Sequence, residues 1–189
     1  QAIAREALRL AFIQHREFAV GLKGVQKQRT IADAFRQQQD DSLVQMMDLD
    51  LIVGSGGVLS HAPRRSQSMR MMIDAYAPEG ITEMAVDSIF MMPHLGVLSK
   101  VDEEAATQVF ERDCIVYLGT CIAPVGPCSS DAPMLRLEAI LPSGEKVDRE
   151  LGGGRILKLP LGEDEEAPAT VTLLQKKLDV GAGPGKQWT

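Results

Sequence analysis

The sequence predicts an α/β lobe followed by a small β-rich module. Three observations carry that expectation. An apolar run at 49–53 stops at glycine and leads into a helix-like segment, a strand–turn–helix unit. Composition changes near Val125, where glycine, proline and serine accumulate. Beyond that point, residues 135–141 alternate apolar and polar side chains, the period of a half-exposed strand. The lobe is placed at 1–125 and the module at 126–189.

Composition narrows the function. The chain has 189 residues, 44% of them hydrophobic and 24% charged, as in an ordinary globular protein. Aromatics are only 4%, too few for an extended base-stacking platform. The net charge of −6 provides no broad basic footprint for nucleic acid. No apolar run approaches the roughly 20 residues that span a bilayer. Neither nucleic acid nor membrane is an expected partner. Cys114, Cys121 and Cys128 are an odd number, which argues against a disulfide framework and for a cytoplasmic protein. The chain opens on Gln1 without a signal-peptide pattern and closes shortly after Gly183-Pro184-Gly185. It reads as a fragment of a longer protein, truncated at its C-terminus.

The elements follow in order. Ile3, Ala7, Leu10, Ala11 and Phe18 mark one face of a helix over 1–20. Thr30 and Asp33 resemble a capping box for a short helix over 31–39, and Ser42 could cap another through Met47. Residues 49–53 form a buried strand, and 64–77 a helix with Met71 and Met72 as core filler. Pro78 and Gly80 end that helix. A strand follows at 82–86. Pro93 and Gly96 are expected to split the apolar stretch 88–98 into two pieces. Asp102 caps a helix reaching Phe110, and 114–120 is strand-like. In the module, strands are expected at 135–141, 146–151, 155–159 and 170–174.

The candidate site is the turn Gly54-Ser55-Gly56-Gly57. Glycines at a strand's end let backbone approach a flat or anionic ligand, because no Cβ intervenes. The dinucleotide fingerprint fails at Leu59, and the P-loop fails because no lysine follows the glycines. A Gly-x-Gly-Gly turn remains, as found in adenosine-binding segments of actin-like ATPases. Arg64 and Arg65, at the start of the following helix, are candidate phosphate or base contacts; a surface ion pair is their plainer role.

Residues 54–63, 85–98 and 179–186 resemble blocks of the C-terminal half of the glutamate mutase accessory protein family. That family is called MutL or GlmL and is unrelated to the mismatch-repair protein. The resemblance extends over the whole chain and implies the second lobe of an actin-like ATPase. It implies nucleotide contact through Gly54, Ser55, Gly56 and Gly57, and ATP or ADP with Mg²⁺ in the full-length protein. It also implies a missing N-terminal ATPase lobe carrying the phosphate loop, and an adenosylcobalamin-dependent mutase as partner. The fragment alone is expected to be inactive.

Other residues carry weaker signals. His15 is alone on its helix, and His94 lacks the Asp-x-His-x-x-Gly pattern of a cobalamin ligand. The cysteines recur every seven residues, not at zinc spacing. Ser55 lacks a nucleophile elbow. The acidic run 163–166 reads as a solvated turn. No catalytic or metal residue is assigned. The alternative function is a non-enzymatic interaction module that docks a partner through its β-rich part.

Overall fold

A computed structural model describes residues 1–21, 44–129, 132–162 and 165–188. The expected helix at 31–39, Ser42, Glu163 and Asp164 lie outside the described residues.

Helix α1 spans Ala2–Gly21. Its packed face differs from the expected one. Ile3 and Leu10 are exposed, while Ala4, Leu8 and Phe12 are half-buried at a spacing of four. The partner helix decides this. Phe12 meets Tyr76 edge-on at 5.2 Å between ring centroids, and Arg5 pairs with Asp74 at 3.0 Å. A single 3-10 turn, Met46–Asp48, precedes strand β1, Leu51–Gly54. Helix α2, Gly57–Ser60, is one turn long, and helix α3 is Arg65–Tyr76. Ala77 ends α3 in the left-handed conformation, φ 46°, and its N–H donates to Ile73. Pro78 cannot continue the helix.

Strand β2 is Gly80–Asp87, helix α4 Met92–Leu98 and helix α5 Glu103–Val109. The stretch expected to break is thus one helix. Pro93 sits in its first turn, where a missing N–H costs nothing. Gly96 is tolerated inside at about 1 kcal/mol relative to Ala. Asp102 caps α5 as expected, accepting from the Ala105 N–H at 2.9 Å. A π turn, Phe110–Cys114, leads into strand β3, Ile115–Ala123. The first sheet has the order β1-β2-β3.

Strands β4, Pro133–Ile140, β5, Lys146–Gly152, and β6, Ala169–Leu173, form a second, antiparallel sheet with β4 central. Leu135, Leu137 and Ala139 face its core while Arg136 and Glu138 face outward. Arg136, opposite Glu150 in the register, donates two hydrogen bonds diagonally across to Asp148 on β5. The expected strand at 155–159 does not form.

The chain divides into two compact units. The first holds Gln1–Ala77 and Met84–Leu118, the second Pro78–Glu83 and Gly119–Thr189. Met71, Met72, Met84 and Val86 are buried in the first. Leu135, Leu137, Val171, Leu173, Leu178 and Val180 form the core of the second.

Candidate functional site

The glycine turn is built in the first unit, and its glycines have different physical causes. A Cβ on Gly54 would lie 2.7 Å from Leu59 Cδ1 and 2.8 Å from Met72 Sδ. Gly54 is therefore demanded by α2 and α3 packing over the end of β1. Gly56 has φ 104° and ψ 152°, a region that belongs essentially to glycine. Among the described residues, nothing lies within 4 Å of where its Cβ would stand. Gly57 opens α2 with only His61 Cδ2 near, at 3.9 Å. One glycine serves the core; the other two leave the outer side of the turn clear.

Ser55 faces a residue that sequence reasoning missed. Its hydroxyl donates to Asp87 Oδ2 at 3.2 Å. Asp87 ends β2 and is fully buried. Its carboxylate also accepts the Met91 N–H on Oδ1 at 3.1 Å and the Met92 N–H on Oδ2 at 2.9 Å. Its backbone carbonyl accepts the Ser60 hydroxyl at 2.5 Å. Burial pushes the Asp87 carboxyl up, but hydrogen bonds from Met92, Met91, Ser55 and Ile89 outweigh it and hold the group below the usual carboxylate range. The sequence held one signal: an acid closing the apolar run Met84-Ala85-Val86. Asp87 ties residues 55–60 to residues 87–92.

Phe90 lies within that tied loop. It has φ 60° without being glycine, and half of its surface remains exposed. Ile89 beside it is exposed as well.

The two arginines diverge. Arg65 Nη1 donates to the Ser60 carbonyl at 2.9 Å, bracing the C-terminal end of α2 where a cation is favourable. Arg64 is exposed, and its backbone N–H donates to Gln67 Oε1 at 3.0 Å. Among the described residues neither side chain makes an ion pair. His15, His61 and His94 are exposed. Cys114 and Cys121 are buried and Cys128 is exposed. Burial, and then the Asp87 and Asp113 carboxylates, push the Cys114 thiol up. Among the described residues no three His, Cys, Asp or Glu side chains gather as a metal site, and no helix is long and apolar enough to cross a membrane.

The model of a family described as MutL protein matches residues 1–114. The chain belongs to the MutL family. This is the glutamate mutase accessory family, not the mismatch-repair one. No curated protein and no solved structure matches the chain. The range shared with the MutL family takes in the glycine turn, Asp87, Phe90 and α4, and stops at Cys114. The glycine-rich stretch at 179–186 lies beyond it. There Asp179 Oδ1 accepts the N–H groups of Gly181 and Gly183, at 2.8 Å and 2.9 Å, so the loop is closed by its own carboxylate.

Proposed function

We propose that this chain supplies the adenosine-contacting lobe of an actin-like ATPase that serves an adenosylcobalamin-dependent mutase. One observation carries the reading. The turn at 54–57 has a rigid, buried base at Gly54 and a clear outer side at Gly56 and Gly57. A flat nucleoside can approach such backbone closely. The donor set here suits the nucleoside end of ATP or ADP. Both oxygens of the Asp87 carboxylate already accept hydrogen bonds, which leaves Mg²⁺ and the phosphate loop to a first lobe. ATP bound between the lobes would supply the free energy for acting on the mutase. This chain's own residues hold and orient the nucleoside: Gly56 and Gly57 by access, Ser55 by fixing the turn on Asp87. Exposed Arg64 is the cation nearest in sequence for a phosphate or base contact.

Calorimetry of ATP and ADP with Mg²⁺, on the full-length protein, tests the reading. Gly57→Glu is the informative variant, because Gly57 is helical and its Cβ position is open. Binding by the wild type and loss in Gly57→Glu at unchanged thermal stability is the expected result. No binding by the wild type would sink the proposal. Residues 1–189 alone are expected to release no phosphate from ATP above background, since the transferring group would lack its clamp.

A second reading has its own support. The second unit has a separate core, as a docking module would. Binding of the mutase by the protein, abolished by surface changes on β5 and unaffected by nucleotide, would favour it.

A further inference from the structure

Phe90 combines two properties that stability alone does not favour. A bulky residue at φ 60° is a backbone outlier, and glycine or asparagine would relieve it. Yet its ring is half exposed and so gains little from the core. The strain has a mechanical cause: Asp87 accepts the N–H groups of both Met91 and Met92, which forces the chain to turn at Phe90. The same carboxylate accepts the Ser55 hydroxyl, which places the Phe90 loop against the glycine turn. Strain that persists in a loop fixed this firmly points to use of the side chain.

We propose that Phe90 is a nucleobase-contact residue: its ring offers an aromatic face to the purine of a nucleotide held at the 54–57 turn. This rests on the nucleotide reading above and adds the residue that recognises the base. A turn built of glycine has no side chain with which to grip a base. A half-exposed aromatic ring on the adjoining loop supplies that surface, and base–aromatic stacking has the required strength. Asp87 is then a positioning residue, setting turn and ring by one carboxylate.

The test is the full-length protein with Phe90→Gly, Phe90→Asn and Phe90→Tyr, titrated with ATP and with inorganic tripolyphosphate, alongside thermal melts. Phe90→Gly and Phe90→Asn should weaken ATP binding about tenfold or more while the melting temperature holds or rises. Tripolyphosphate binding, which involves no base, should not change. Phe90→Tyr should keep ATP affinity. Affinity and stability moving in opposite directions is a pattern that a merely structural residue does not give. If affinity and melting temperature fall together, Phe90 is structural and the proposal is overturned. If ATP affinity is unchanged while Gly57→Glu still abolishes it, this proposal fails and the nucleotide reading stands; mutase binding lost in those same variants would make the ring a protein contact instead. If the wild type binds no nucleotide, both fail.

Discussion

The Ser55 hydroxyl donates to Asp87 Oδ2 across 3.2 Å, joining the ends of two neighbouring strands. The bond fixes the candidate site to the sheet, and it makes Asp87 the first residue to test. Asp87→Ala would orphan the Ser55 hydroxyl and the Met91 and Met92 N–H groups, at a cost of about 3 kcal/mol. The pH dependence has a definite sign. The folded carboxyl titrates below its usual range, so the unfolded chain takes up the proton first. Its stabilising contribution is complete above the usual carboxylate range and is lost as pH falls through the lowered folded value. Urea midpoints measured from about pH 6 down to about pH 3 should decline more steeply in the wild type than in Asp87→Asn.

Of the three glycines of the turn, Gly54 and Gly56 should resist substitution and Gly57 should not. Gly54→Ala forces a methyl against Leu59 and Met72 and should cost about 1–3 kcal/mol. Gly56→Ala meets no atom but must hold a glycine-only conformation, again at about 1–3 kcal/mol. Gly57→Ala should be neutral or stabilising by up to about 1 kcal/mol, since Ala is the better helix former. Chemical denaturation of the three variants reads the difference directly. Equal losses at all three would contradict the division of roles.

In the second unit, Gly126→Ala should be the most damaging single methyl. Its Cβ would stand 2.3 Å from the Lys177 carbonyl oxygen, at φ 135°. That oxygen belongs to backbone and cannot swing away. The adjacent Val125–Asp179 bridge, two hydrogen bonds of 2.9 Å, should open. Hydrogen exchange at the Val125 and Asp179 amides should quicken in the variant.

Thr82→Val should stabilise. The Thr82 Oγ1 is buried with no hydrogen-bond partner among the described residues, a standing desolvation cost that valine removes at equal volume. A gain of about 1 kcal/mol is expected in the unfolding free energy. A loss would mean that the hydroxyl has a partner in solution.

Much of the fold was legible because it rests on local pattern. The apolar run ending at Gly54, the helix ended by Pro78 and Gly80, and the alternation of Leu135, Leu137 and Ala139 each state their element within a few residues. What depends on a partner was not legible. The buried face of α1 is chosen by Tyr76 and Asp74 on a distant helix, not by its own strongest apolar stripe. Residues 155–159 have strand-like composition, yet they join neither sheet, because composition alone does not supply a pairing partner. At the site, the glycines were visible in sequence and their separate causes were not. Asp87 went unseen because its partners come from two segments, residues 55–60 and 87–92, that only the sheet brings together.

The interleaving of the two units along the chain constrains how such a protein can be made and rearranged. Pro78–Glu83 emerges from the ribosome long before Gly119–Thr189, the stretch with which it shares a unit. The newly made chain thus carries Pro78–Glu83 without the rest of its unit until residues 119 onward have been made, a window in which a chaperone or a neighbouring nascent chain can compete for it. The same arrangement resists modular exchange. Swapping either unit between genes needs joins at three boundaries, after Ala77, Glu83 and Leu118, rather than at one, so the pair should be inherited as a block.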